Sequence, residues 1–434
     1  MGAMDTIKSV GKKLRLDSHH MIERFGLMMA VITTTLALLM VAGFSFSVEK
    51  NRQQLGTQAV YSTVFTTSKT NIKGNVVGVY SSSDKTKAMV LLKFENVGAV
   101  SADAKEYQSF MTASTMDMKQ EKPQGAPSGS IYVFGTTGYI GVYLVNAGGF
   151  PSQILNLTMR AKSELVVPNT PASNKETIDT SFQKYDQWRL YFNPGASGAT
   201  KLKALDAPTL DSRKLFYEMV TAPEEKKVRE TLDADLKKMQ TSLADIDEKT
   251  NRLNTTTVGN TGVKVIAPNA MTPSKVPAQI AGDKVTGKAA VGDVASTLKL
   301  ESNAPLSGGY DFDWRSGSVE TGYLDSLTPA GMDYVTFLSK KGAEPVTPMD
   351  ASAKAMEWKL SDGQFLANVD ASNPAYATVN KNVVDLTGAY TTYFADKKTY
   401  SIDDLPKLIN LEVQLRSVEA NTTVNTEKNV LLVY

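Results

Sequence analysis

The chain has 434 residues, with 47 basic against 45 acidic side chains, two histidines and no cysteine. Without cysteine there is no disulfide and no thiolate metal site, so stability must come from ordinary cores. The near balance of charge, with no basic stripe, excludes a polyelectrolyte surface, and no nucleic-acid partner is expected.

The first element is an apolar run from Phe25 through Leu36 and Leu39 to Val48, preceded by Lys8, Lys12, Lys13, Arg15 and Arg24. It contains neither charge nor proline and meets the length of about 20 residues that crosses a bilayer as a helix. The basic residues before it keep 1–24 cytoplasmic and export 49–434, which predicts a single-pass membrane protein with lipid as one partner and its bulk extracytoplasmic. Two other processing schemes begin from the same residues. A cleaved signal would use Val41-Ala42-Gly43 or Ser45-Phe46-Ser47, poor sites behind an apolar core longer than the usual length of about 7–15 residues. A pilin-like leader would be cut after Gly26, although Ala30 and Val31 stand where such leaders carry a glutamate.

The exported part divides by its aromatic residues, since no Phe, Tyr or Trp lies between Tyr217 and Tyr310. Residues 49–205 alternate as half-buried strands do, in Val60–Phe65, Val76–Tyr80, Met89–Phe94, Ile131–Phe134, Tyr139–Val145 and Ile154–Met159. Many short strands with turns between them predict a sandwich. Residues 206–254 form a helical segment. Thr221, Pro223 and Glu224 read as a capping box, and Val228, Leu232, Leu236, Met239, Leu243, Ile246 and Leu253 follow in steps of four and three. A helix over 222–253 would be about 48 Å long. Its apolar stripe is expected to pack on its own chain, with coiled-coil oligomerisation as the other reading.

Residues 255–300 are small, polar and punctuated by Pro268, Pro273 and Pro277, which predicts an extended connector with one strand near Val263–Ile266. Residues 301–434 return to strand-like texture at Tyr310–Trp314, Ala355–Leu360, Tyr390–Phe394, Leu408–Leu415 and Val430–Tyr434. The fold class is thus mainly β with an α element: an N-terminal transmembrane helix, then two sandwich-like modules separated by a long helix and a connector. Three matches in order suggest that the modules are copies. Ser101–Met111 aligns with Thr328–Leu338, Thr137-Gly138 with Thr387-Gly388, and Ile154–Met159 with Leu408–Val413.

Chemistry is limited by what is missing. Both histidines, His19 and His20, precede the apolar run, which removes His-dependent hydrolases and His-ligated zinc from the exported part. Ser82 to Lys85 and Ser296 to Lys299 have serine-lysine spacing but no Lys-Thr-Gly element beyond them. Gly282–Ala289 nearly matches a phosphate-binding loop, yet Ala289 lacks the hydroxyl that would hold magnesium, so no nucleotide is expected. A glycosidase needs only two carboxylates, and Asp311, Asp313 and Glu320 beside Trp314 are the candidates. Strand alternation places Asp311 and Asp313 in water without invoking catalysis, and Arg315 stands where a calcium site would need a further oxygen. No catalytic residue, metal or cofactor is therefore assigned.

These features lead to the expectation of a structural or binding protein of a bacterial or phage-related envelope, an adhesin, scaffold or subunit of a surface, secretion or filament assembly. Protein partners, including further copies of itself, are expected, with contacts in loops such as Asn146–Gly149 or Asn373–Tyr376. The alternative is a carboxylate-dependent cell-wall glycan hydrolase. Mass spectrometry of the mature amino terminus tests the anchor. Retention predicts that residues 1–24 remain, whereas a terminus after Gly26, or shortly before Val48, would identify a leader or a signal.

Overall fold

The computed structural model describes residues 56–115, 119–162, 185–268, 277–292, 294–346, 348–349 and 357–434. The anchor residues Phe25, Leu36, Leu39 and Val48, and the cut after Gly26, lie outside them. Among the described residues no helix is long and apolar enough to cross a membrane. They form mainly β sheets with a few helices, in two compact units. One holds the described residues through Val133, with Gly138–Asp206 and Val424–Tyr434; the other holds Phe134–Thr137 and Ala207–Thr423.

The strands, in chain order, are β1 (Val64–Thr66), β2 (Lys73–Ser81), β3 (Lys87–Phe94), β4 (Tyr107–Ser114), β5 (Gln120–Glu121), β6 (Ser128–Phe134), β7 (Tyr139–Val145), β8 (Ile154–Ala161), β9 (Gln187–Phe192) and β10 (Thr200–Lys201). Then come β11 (Val265–Pro268), β12 (Lys284–Thr286), β13 (Lys299–Glu301), β14 (Trp358–Leu360), β15 (Thr422–Asn425) and β16 (Leu431–Val433). The first unit holds two sheets that share one core. One sheet runs β1-β2-β3-β7-β6-β15 with β10 beside β2, and the other runs β16-β4-β8-β9 with β5 beside β4.

Alternation decides which side chains enter the core. Along β8, Leu155, Leu157 and Met159 point inward while Asn156, Thr158 and Arg160 face out. Trp188 of β9 fills the space between the sheets, stacked on Phe65 at 6.0 Å and meeting Phe94 edge-on at 5.3 Å. The unit is discontinuous in sequence. Residues 424–434 return to it, and β16 pairs parallel with β4 through Ser109 N to Val430 O at 2.7 Å and Tyr434 N to Met111 O at 3.0 Å. Asn425, fully enclosed, donates to the carbonyls of Ala104 and Tyr107 and fixes that return.

The second unit is built on helices α1 (Ser212–Phe216), α2 (Ala222–Thr255), α3 (Leu324–Leu327), α4 (Tyr334–Gly342), α5 (Ala377–Lys398) and α6 (Leu405–Asn421). A π-helical turn at Tyr217–Thr221 joins α1 to α2, and another at Thr399–Asp404 joins α5 to α6. Each π turn precedes a proline, Pro223 or Pro406. Proline has no amide to donate and collides with the carbonyl one turn back, and a locally widened helix accommodates both faults without ending. The helix therefore starts at Asp211, whose carboxylate accepts from Arg213 N at 2.8 Å and Lys214 N at 3.2 Å. Thr221 is helical and makes no capping bond, so the capping box read there is not a helix start.

The two long helices run antiparallel. Asn382 Nδ2 donates to Thr256 Oγ1 at 2.8 Å at one end, and Arg213 pairs with Glu419 at 3.1 Å at the other. On α2, Leu232, Leu236, Met239, Ile246 and Leu253 are buried and Val228 and Leu243 half-buried. This stripe meets Val379, Val383, Leu386, Tyr390 and Tyr393 of α5, so the face is filled by the chain's own helix.

Several sequence expectations for 255–434 are corrected here. Tyr390–Phe394 and Leu408–Leu415 are helical, because burial at 379, 383, 386, 390 and 393 repeats in steps of four and three and outweighs the local β preference of Val, Thr and Tyr. The segments matched as copies also differ in structure. Tyr107–Met111 is strand where Tyr334–Leu338 is helix, and Ile154–Met159 is strand where Leu408–Val413 is helix. The likeness reflects shared composition and not a shared module. The connector is partly folded too: β12 and β13 form a hairpin, β11 pairs with β14, and Ile280, Leu298 and Leu300 are buried.

Trp188→Ala should cost the fold about 3–5 kcal/mol, because the cavity it leaves lies between two sheets that cannot close on it. A urea midpoint unchanged from wild type would contradict the central place given to this ring.

Candidate functional site

The second unit contains a cavity of about 320 Å³, lined in part by Ser302, Asp311, Asp313, Trp314, Arg315 and Tyr400. The stretch 310–314 is irregular and not a strand, yet it keeps the expected alternation: Trp314 is buried, Tyr310 and Phe312 are half-buried, and Asp311 and Asp313 are exposed. Trp314 is held by its surroundings on every side. Arg315 lies over its ring at 4.1 Å and Arg229 at 5.4 Å, while its indole N–H donates to Tyr400 Oη at 3.1 Å. With the ring 3 % exposed, little of it is left on which a sugar could stack.

The three carboxylates do not converge. Asp313 pairs with Lys299 at 3.3 Å and accepts from Arg315 N at 3.2 Å. Glu320 is exposed and does not line the cavity, and its carbonyl accepts from Arg213 at 2.8 Å. Asp311 is different. Desolvation at the cavity rim raises its carboxyl above the ordinary value, with the Lys397 charge working in the opposite sense. It is the one candidate here with the character of an acid.

Behind the cavity wall lies an enclosed polar cluster that the sequence did not suggest. Lys397 of α5 is 1 % exposed, and its ammonium contacts Asp283 Oδ2 at 2.7 Å and Ser302 Oγ, Gln279 O and Ala304 O at 2.8 Å each. Ser302 Oγ donates to Asp283 Oδ1 at 2.8 Å, and Tyr393 Oη donates to Asp283 Oδ2 at 2.9 Å. Burial pushes the lysine down, and the adjacent carboxylate pushes it back up. Ser302 and Lys397 have the proximity of a nucleophile and its base, but an ammonium already holding four acceptors has no vacancy for a further proton. The cluster fastens the 277–304 stretch to α5.

Two further buried carboxylates do similar work. Glu225 accepts from Val319 N at 3.2 Å and pairs with Arg229, which reaches Gly317 O and Tyr323 Oη at 2.6 Å. Glu412 accepts from Tyr323 N at 2.6 Å and Leu324 N at 3.1 Å and pairs with Arg416 at 2.8 Å. Each is a glutamate four residues before an arginine on a long helix, and between them they hold the 317–324 loop.

The other sequence candidates resolve into local structure. Ser82 donates to Asp84 at 2.6 Å in the β2-β3 turn, whose hydroxyls and amide hold Asp84 down to about 2, while Lys85 donates to Gly195 O. Ser296 and Lys299 point to different partners, Arg315 and Asp313. Within Gly282–Ala289, residues 284–286 are the extended strand β12, which cannot wrap a phosphate. Asn146 is buried and bonds Gln124 O and Gly148 N, and Asn373 accepts from Ala375 N, so both build turns. Among the described residues no group of three His, Cys, Asp or Glu side chains could hold a metal ion.

The first unit offers a surface of another kind. On the outer face of the β16-β4-β8-β9 sheet, Phe110 stacks on Tyr434 at 6.3 Å, and Arg160 lies over Phe110 at 4.4 Å and Tyr185 at 5.6 Å. Tyr434 is 62 % exposed, and Arg189 on the neighbouring strand is also exposed. Sequence reasoning missed this group: their assembly along the β16-β4-β8-β9 sheet depends on the register and on the return of β16, which a linear reading cannot supply.

No family model, curated protein or solved structure matches the chain.

Lys397→Met should destabilise the second unit by about 3–5 kcal/mol by leaving Asp283 buried without its counter-charge. Replacing Asp283 by Leu in the same chain should recover part of that loss. Equal destabilisation by the single and double variants in chemical denaturation would contradict a charge-pair origin.

Proposed function

We propose that the protein is a membrane-anchored, exported structural or binding protein of a bacterial or phage-related envelope, acting as an adhesin, scaffold or assembly subunit. The observation that supports this best is the aromatic-arginine platform of Phe110, Arg160, Tyr185 and Tyr434 on the outer face of the β16-β4-β8-β9 sheet. Aromatic rings and arginine supply large contact area at low entropic cost, and the residues that dominate protein interfaces are of these types. The β scaffold holds them in place before any partner arrives, so little ordering is left for binding to cost. The apolar run at 25–48 would place this face outside the membrane, with lipid as the anchor and proteins as partners.

The competing reading is a glycan hydrolase, and Asp311 is the group that would carry it as a proton donor. Its weakness is the second carboxylate. Asp313 is engaged by Lys299 and by an amide, and Trp314 is buried. Incubating the full-length protein with isolated peptidoglycan separates the two readings. The binding account predicts no soluble sugar fragments, while release that Asp311→Asn abolishes would replace it with an enzyme.

Orientation has its own test, made simple by the absence of native cysteine. In intact cells an impermeant maleimide should label an Ala371→Cys chain and leave a Ser9→Cys chain unlabelled until the membrane is opened. The reverse pattern would refute export of the body.

A further inference from the structure

The two long helices of the second unit meet at a pair of carboxylic acids that nothing else in the structure explains. Asp235 lies on α2 between the buried Leu232 and Met239, and Asp404 is the last residue of the π turn, 7 % exposed. Asp235 Oδ2 is shielded from water and takes no hydrogen bond from any donor among the described residues, and the π turn packs on α2 with Asp404 beside the Asp235 carboxyl. Two carboxylates in that position repel, whereas one shared proton turns the contact into a hydrogen bond.

We propose that Asp235 and Asp404 form a proton-operated latch between the helices, closed when a protonated Asp235 donates to the Asp404 carboxylate and loosened when that proton leaves to solvent. The charges around the pair are accounted for. Lys407 on α6 contacts Asp404 Oδ1 at 2.5 Å, and Lys238 on α2 is committed to Asp396 of α5 at 2.7 Å. Asp403 lies near Lys407 on the π turn. Desolvation, and then the Asp404 carboxyl, raise Asp235 to about 7, with Lys238 and Lys407 opposing. The unfolded chain releases this proton near 3.8, so between about pH 4 and about pH 7 the folded chain holds a proton that the unfolded chain has lost. Stability contributed by the latch is present in acid, falls through that window and stays absent above it. The π turn is the part that would give first, since its backbone bonds are already irregular.

Hydrogen exchange of the full-length protein in detergent, corrected for intrinsic rates, reads the latch directly. Between about pH 5 and about pH 8 the opening of residues 399–407 should increase by about tenfold or more in the wild type and stay flat in Asp235→Asn, whose amide donates at every pH. Equal slopes in the two chains, or a flat wild type, would overturn the proposal. Should Asp235→Asn fail to fold, the wild type still decides it by infrared titration. A protonated carboxyl band that disappears near neutrality supports the latch, and its absence above about pH 5 rejects it.

Discussion

A lysine ammonium shut away from water must find all its acceptors inside the protein, and the second unit is arranged around that demand at Lys397. The charge cannot be left unpaired, because the penalty of burying it alone would exceed the margin by which domains are stable. Asp283, Ser302 and two carbonyls are therefore drawn to one point on α5, bringing with them the 277–304 stretch that composition alone reads as a connector. Glu225 and Glu412 make the same demand at other points and draw in the 317–324 loop. Irregular backbone in this unit is thus held by buried charges on helices as well as by buried side chains such as Ile280 and Leu298.

That arrangement bears on chemistry as well as on stability. A cavity bordered by serine, lysine, aspartate and tryptophan has the composition of an active site, yet most of its polar groups already serve one another. Groups committed to internal bonds have neither the vacancy nor the freedom that proton transfer requires. The Phe110 and Arg160 platform is the opposite case. Its groups gain little from one another and face outward from a rigid sheet.

How much of this could be read from the sequence varied with the range of the forces involved. Several strands of the first unit, though not β4 or β9, are visible in period-two alternation because one buried face per strand leaves that mark, and Tyr139–Val145 forms over the very residues that alternate. The long α2 helix is visible for the corresponding reason. Helix α5 was hidden: Val383, Val384, Tyr390 and Tyr393 favour strands locally, and only their spacing of three and four, set by packing on α2, gives the helix away. Pro223 reads as a helix start, since a linear rule takes no account of a π turn that absorbs it. The cluster joins Lys397 to residues 93 and more positions away and leaves no local signal at all. Nor could the matched segments reveal that Tyr107–Met111 and Ile154–Met159 fold as strand where their counterparts Tyr334–Leu338 and Leu408–Val413 are helix.

The account stands or falls on where the protein touches its surroundings. A photo-crosslinking amino acid placed at Arg189 or Tyr434, on the outer sheet face, and separately at Asp313, on the cavity, would decide this in the cell that makes the protein. The account predicts discrete protein adducts from positions 189 and 434 that are lost when Phe110 and Arg160 are replaced by alanine, and none from position 313. Adducts from position 313 alone, carrying glycan, would contradict it.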